Sequence, residues 1–249
     1  MITTIAKHEC SSLFRSTSIW VLTGLLALAM ALLFLQQVER YIAAQPALAL
    51  QDHPPGLTAF LGAGFLAPVA VLFLMLGPLL AMRSFSDEFR KDTYALWQSS
   101  PVPNSSIVIG KFLGVVSALA LWILLSVAMV ASMQLFVMLD WGLLLANTSG
   151  LLLSSMACAA VGIFFSSLTR QPLVAAIASF ACLMILWLLG KIPLSGIASG
   201  VQGYSIASHL NSFFNGYLSL ADVLYFCVII ALFLALTIIR LDSLRHTGH

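Results

Sequence analysis

The chain has 249 residues, 61% hydrophobic and 8% charged, with a formal net charge of +2 and a mean hydropathy of +1.03. A soluble domain carries about 25% charged and roughly 45–50% apolar residues, so an ordinary water-soluble fold is excluded and lipid is the expected solvent. So small a net charge also gives no electrostatic basis for a nucleic-acid partner.

Residues 1–15 place Ile2, Ile5, Ala6, Glu9 and Leu13 near helical spacing, with Lys7 and Arg15 available to lipid phosphates. That pattern predicts a short helix lying on the membrane surface, against the alternative of an unstructured tail. The first apolar run, Ser18 to Val38, precedes an "ALA" at 47–49 that resembles a cleavage site. The run is longer than the about 7–15 residues of a signal h-region and suits a span of about 20, so it is read as retained. Further runs at 58–82, 107–139, 142–168, 171–190 and 221–240 meet the same length. The expectation is one all-α domain over 1–249 with six transmembrane helices.

Between the spans the sequence is equally informative. "HPPG" at 53–56 breaks the outer loop 39–57. Pro68 and Pro78 predict kinks in span two. Ala175, Ala176, Ser179 and Cys182 predict close helix approach on span five, and Gly110 with Gly114 forms a GxxxG that is common enough to mean nothing by itself. Asp140 and Trp141 form a tight turn between spans three and four. Residues 191–220 are broken by Pro193, Gly196, Gly200 and Gly203 yet nearly uncharged, which predicts short re-entrant or capping helices before the last span.

Orientation follows from Lys and Arg. With the N-terminus inside, nine cations (Lys7, Arg15, Arg83, Arg90, Lys91, Lys111, Arg170, Arg240 and Arg245) face the cytoplasm, against two outside, Arg40 and Lys191. Both termini are therefore expected in the cytoplasm.

Chemistry of the usual kinds is missing. "HECSS" at 8–12 lacks the second ligand of HExxH, and Gly110–Lys111 lacks the upstream glycine of a P-loop. His246 and His249 close a polar tail, and the four cysteines (Cys10, Cys158, Cys182 and Cys227) show no paired spacing. His209 has no carboxylate close in sequence and reads as a structural or surface histidine. Within the apolar cores of the spans there is no Asp, Glu, Lys or Arg; Gln134, Asn147 and Thr148 are polar but cannot relay protons in the same way. If the protein moves something, its energy comes from elsewhere.

The exception to this poverty of charge is the segment after span two, with Arg83, Asp87, Glu88, Arg90, Lys91 and Asp92. Ser84 or Ser86 can cap a helix over about 84–99, with Asp87 and Glu88 in its first turn and Pro101 and Pro103 ending it. Phe85, Phe89, Leu96 and Trp97 fall near one face, while Arg90, Lys91 and Asp92 lie largely off it. Asn104 to Ser106 can cap the span that follows. An ordinary interfacial loop and a docking surface for a soluble partner are both compatible with this pattern.

The stretch "PLLAMRSFSDEFRKDTYALWQSSPVPNSSIVIGKFLG", 78–114, resembles the signature of ABC-2-type permeases, in which a span ending near Met-Arg is followed by an acidic pair, a Gly-Thr, a Pro-Val and a Gly-Lys. "GIFFSSLTRQPLVAAI", 162–177, and "HLNSFFNGYLSLADVLYF", 209–226, are similar to later blocks of the gliding-motility (GldF-like) group, in the same order. The sequence departs from the pattern at Asp92–Thr93, where Gly-Thr is frequent, and at Tyr94–Trp97. The resemblance implies the transmembrane half of an ABC transporter in a bacterial cytoplasmic (inner) membrane, probable export, and two permease chains (homodimer or heterodimer) with separate ATPase subunits. It implies no cofactor in this chain, ATP and Mg belonging to the partner. It implies a coupling helix at about 84–99 that touches the ATPase through Phe85, Asp87, Glu88, Phe89, Arg90, Thr93, Leu96 and Trp97, and a connecting helix at 1–15. Tyr204, His209, Asn211 and Asn215 are the outer groups available to cargo or an extracytoplasmic accessory protein, or they merely sit at the interface. A secondary carrier, a membrane scaffold or mechanotransmission subunit, and an intramembrane enzyme are the other readings, the last weakened by the missing catalytic groups.

Overall fold

The computed structural model describes residues 2–48, 50, 56–93, 102–190 and 203–247, and all regular secondary structure among them is helical. Helix α1 (Ile2–Arg15) is amphipathic and separate from the first span, a break held where Ser16 N–H donates to Leu13 O. Trp20 Nε1 donates to Phe14 O across the same corner at 2.8 Å.

Helix α2 (Thr17–Leu48) runs well past the predicted end at Val38. The reason is local: Gln36 to Ala44 are mostly good helix formers, so the helix continues beyond the apolar stretch and carries Pro46 inside it. At 1.5 Å per residue its 32 residues reach about 48 Å, longer than a hydrocarbon core of about 30 Å.

The second span begins as α3 (Leu57–Leu61), passes through a π turn over Gly62–Leu66, and continues as α4 (Ala67–Ala81). Within the π turn Ala67 N–H reaches Gly62 O, five residues back. Pro68 follows at once, so the wide turn accommodates a residue that cannot donate to Gly64 O. Packing is close here: a Cβ on Gly62 would lie 2.6 Å from Asn147 Nδ2, and one on Gly64 2.7 Å from Gln37 Oε1, so either would displace the end of that side chain. The kink predicted from Pro68 is thus a π turn. Pro78, in contrast, sits inside α4, and the chain breaks only at Met82, before α5 (Arg83–Arg90).

Helix α6 (Asn104–Ala131) ends earlier than the expected 139, tightening into a 3-10 turn over Ser132–Leu135. Gln134 Oε1 then accepts from Leu139 N–H, which closes a loop whose Leu135, Phe136 and Met138 are exposed. Asp140 caps α7 (Trp141–Leu168) by accepting from Leu143 N–H, and its own N–H donates to Thr58 Oγ1. The tight turn predicted at Asp140 is a helix cap.

Helix α7 is the mast of the bundle, packed by α4, α5, α6, α8 (Pro172–Leu188), α9 (Ile206–Phe214) and α10 (Leu220–Thr247). Its inner surface is built from Gly150, Ser154, Ala157, Ala160 and Gly162. Lipid tails are as apolar as Leu, so helices in a bilayer associate by close packing, which small residues permit. A Cβ on Gly162 would come 2.5 Å from that of Ala81, and one on Gly150 2.7 Å from that of Phe213. Ala175, Ala176 and Ser179 of α8 are buried as the sequence suggested.

Among the described residues, five helical stretches are long and apolar enough to cross a membrane: Ile19–Ala47, Leu57–Arg90, Asn104–Leu135, Trp141–Leu168 and Leu220–Arg245. Helix α8 is a shorter apolar helix, but its start follows α7 directly while Ser205, at the opposite end of the bundle, donates to Trp187 O near its finish. Helix α1 and the last turns of α10 lie at the same end of the bundle, since α1 packs along the start of α6 and Asn104 Nδ2 donates to Asp242 Oδ1 at 2.7 Å. Asn104 therefore joins two helices; Pro103 takes the cap position expected for it, with no side-chain cap.

The short helix expected before the last span is α9, capped by Ser205 Oγ accepting from Ala207 N–H. The first part of that outer segment, 191–202, lies outside the described residues.

The Gly110–Gly114 pair is the seat of α1: a Cβ at Gly110 would meet Ile5 at 2.7 Å, and one at Gly114 would meet Glu9 at 2.6 Å. Gly114→Leu is expected to lift α1 off α6 while the spans stay inserted. Limited proteolysis in native membranes should then cut the α1 segment several-fold faster, whereas unchanged protection would show that the seat is dispensable.

Candidate functional site

The charge of this chain converges at the end of the bundle that holds α1 and α5. Lys111, in the third turn of α6, is only 1% exposed. Its ammonium lies 2.6 Å from Glu9 Oε1 of α1 and 2.7 Å from Glu88 Oε1 of α5, and 5.1 Å above the ring of Phe85. A lysine ammonium has three donors and a compact charge, so it can hold two carboxylates from different segments at once. Buried charges persist only when paired and hydrogen-bonded, and this clamp satisfies that condition with an aromatic face as a further contact.

A second joint fixes the turn between α4 and α5. Ser166 Oγ, on α7, accepts from Phe85 N–H at 2.9 Å and Ser86 N–H at 3.1 Å, and stands 2.9 Å from Met82 O, to which it donates. Ser86 Oγ donates to Ser166 O at 3.0 Å. A helix break leaves backbone donors and acceptors without intrahelical partners, and here a single hydroxyl serves several of them. Ser86 was expected to cap the helix; it instead ties α5 to α7.

Helix α5 ends at Arg90, and residues 94–99 of the helix predicted over 84–99 lie outside the described residues. Asp92 adopts a left-handed φ of 53°, and Thr93 N–H donates to Glu88 O at 3.0 Å. That six-to-one bond around a left-handed residue is a Schellman cap, where Gly is the usual occupant and Asp is tolerated. Asp92 thus takes the strained place of the cap at the position where the resembling motif frequently has Gly.

The expected coupling residues divide by environment. Phe85 is fully buried beneath Lys111, so in this conformation it supports α5 from within and does not face a partner. Phe89 is half-buried and stacks on Phe85 with ring centroids 6.3 Å apart. Asp87 pairs with the exposed Arg90 at 3.0 Å, Glu88 belongs to the clamp, and Thr93 closes the cap. Leu96 and Trp97 lie outside the described residues. Arg170 approaches Asp92 at 3.9 Å with both side chains largely exposed, a contact worth little.

Sequence reading missed Lys111, Glu9 and Ser166. The signals were present: Glu9 fell on the apolar stripe of α1, and Lys111 stands between Gly110 and Phe112 at the start of a span, where a charge points to function by default.

At the opposite end, His209 Nδ1 lies 2.5 Å from Asp222 Oδ1 and Nε2 lies 2.8 Å from Gly203 O. The ring stacks on Tyr225 at 4.0 Å, and Tyr225 Oη donates to Tyr204 O. The carboxylate that seemed absent near His209 in sequence is Asp222, brought in from the first turn of α10. Together these contacts latch α9 onto α10. Asn211 is exposed and lines an apolar cavity of about 650 Å³ beside Trp187 and Phe214, while Asn215 ends α9 and Tyr204 is exposed. Among the described residues no group of three or more His, Cys, Asp or Glu is placed to hold a metal.

Several membrane-length apolar helices, with ionised groups gathered at one end, define a multi-pass membrane protein. The particular family is given by comparison: residues 3–243 match the model for the ABC-2 family transporter protein, and the chain belongs to that family, as a transmembrane subunit of an ABC transporter. No curated protein matches the chain.

Lys111→Met strips the clamp of its cation and leaves two carboxylates together. Breaking a buried pair costs about 3–5 kcal/mol, so the variant should lose much of its resistance to thermal unfolding in mild detergent. Glu9→Gln and Glu88→Gln added to it should recover most of the loss; no recovery would mean that Lys111 acts by packing alone. Asp92→Gly removes a left-handed strain of about 1 kcal/mol and should raise the same midpoint slightly, whereas Asp92→Val should lower it.

Proposed function

We propose that this chain is a permease subunit that receives ATP-driven motion through α5 and transmits it to the bundle. One observation carries this reading: a single buried ammonium joins the surface helix α1, the charged helix α5 and the span α6. A displacement of α5 would therefore be shared with α1 and α6 through Lys111, and with α7 through Ser166. An ATPase subunit carrying ATP and Mg would bear on the exposed face of α5, at Arg90, Asp87 and Phe89, and on the segment that follows Thr93. Two permease chains, as a homodimer or heterodimer, would pair with two ATPases.

The same reading sets the chain in a bacterial cytoplasmic membrane with both termini in the cytoplasm. The nine-to-two cation count and the shared position of α1 and the end of α10 support it. Six crossings follow if α8 is the sixth. Export is the direction we favour, and the 209–226 block supports the gliding-motility group. Tyr204, Asn211 and Asn215 would then face cargo or an extracytoplasmic accessory protein.

Arg90 is exposed and outside the clamp, which makes it the cleanest probe of docking. Arg90→Glu is expected to leave insertion and thermal stability unchanged while reducing recovery of an ATP-binding-cassette ATPase in a tagged pull-down from gently solubilised membranes by about tenfold or more, the loss of a hydrogen-bonded interfacial charge being worth about 2–5 kcal/mol. Undiminished recovery would remove α5 from the interface. Recovery of envelope proteins without any such ATPase would favour a scaffold.

A further inference from the structure

Between α1, the first turns of α2 and the α4–α5 corner lies a cavity of about 460 Å³, within the about 300–1,000 Å³ usual for ligand sites. Its lining is divided. Leu13, Leu22 and Leu80 form an apolar wall, and Arg83, Lys91 and Ser12 stand on a polar rim. Trp20 on α2, exposed beside Ile19 of the same lining, marks the depth of the membrane interface, as does Arg83 at the end of the second span.

The acids and bases lining the cavity match in number, Glu9, Asp87 and Glu88 against Lys111, Arg83 and Lys91, but they are not all paired with one another. Glu9, Glu88 and Lys111 together carry one negative charge, and Asp87 is offset by Arg90. The side chains of Arg83 and Lys91 have no ion-pair or hydrogen-bond partner among the described residues. The rim therefore presents two side-chain cations not held by a carboxylate, facing a wall that suits hydrocarbon. Basic pockets between membrane helices near the headgroup level are suited to acidic lipid headgroups.

We propose that this cavity binds one anionic glycerophospholipid of the phosphatidylglycerol type. Arg83 and Lys91 hold its phosphodiester oxygens, Ser12 donates a hydroxyl hydrogen bond, and an acyl chain follows Leu13, Leu22 and Leu80. The bound lipid braces α1 against α5, beside the Lys111 clamp. The site depends on this end of the bundle lying at a membrane surface and not on any ATPase contact.

Native mass spectrometry of the full chain in mild detergent tests it, with dioleoyl-phosphatidylglycerol and dioleoyl-phosphatidylcholine as probes. Near-surface cations contribute about 1 kcal/mol each, roughly fivefold in affinity. Arg83→Gln with Lys91→Gln is thus expected to weaken phosphatidylglycerol binding by about thirty-fold and phosphatidylcholine binding, whose choline cation offsets the phosphate charge, by clearly less. Lys7→Gln with Arg15→Gln, outside the cavity, serves as a second variant of equal charge change and should have a clearly smaller effect. Equal losses in the two double variants, or no preference for phosphatidylglycerol in the parent chain, would overturn the proposal. So would competition by millimolar inorganic phosphate, which would identify a soluble anion as the occupant. ATPase pull-down with the Arg83 and Lys91 variant reads the transporter assignment separately, because Arg90 is untouched.

Discussion

A buried ammonium cannot stand alone, and the organisation of one end of this protein follows from that constraint. Lys111 is nearly inaccessible, so it needs anions within hydrogen-bond reach. They come from segments 102 and 23 residues away in sequence. To supply Glu9, α1 must lie along the first turns of α6, which is possible because Gly110 and Gly114 leave room for Ile5 and Glu9. To supply Glu88, the chain must turn at Met82 and bring α5 back beneath the bundle. Phe85 then fills the space under the cation, where a polar side chain would need partners of its own.

The turn at Met82 creates a problem that α7 solves. Breaking a helix at the end of a span frees backbone groups where water is scarce, and each would be costly without a partner. Ser166 supplies both an acceptor and a donor from the last turns of α7. Helix α5 is thereby held at its base by hydrogen bonds and at its middle by the ion clamp, with Arg90 exposed at its end. At the opposite end the latch of His209, Asp222 and Tyr225 fastens α9 to α10. Both ends of the bundle are pinned by polar joints, and the length between them packs through small residues.

Much of this architecture was legible because the bilayer demands simple patterns. The all-helical membrane character, the separate N-terminal helix and the short helix before the last span follow from length and polarity, whereas five stretches of membrane-crossing length stand among the described residues where six spans were expected. What escaped reading was pairing across distance. Lys111 appeared as one more cation of a positive-inside tally, and Glu9 as an acid on an otherwise apolar stripe; neither pattern says that the two meet. Asp222 lies thirteen residues beyond His209, on the far side of a turn at Gly216, so no local spacing linked them. The interruption after Arg90 of the helix predicted over 84–99 has a different cause. Periodicity follows side chains and is blind to a backbone that turns left-handed at Asp92.

That left-handed residue stands where the sequence departs from the resembling motif. A Schellman cap needs one residue at positive φ followed by an N–H that reaches back. Asp92 takes the strained position and Thr93 provides the N–H. The charged stretch is therefore short because it is a joint. Its acids and bases are spent on Lys111, on Arg90 and on the cap, and the few cations left over, Arg83 and Lys91, stand where a lipid phosphate could meet them.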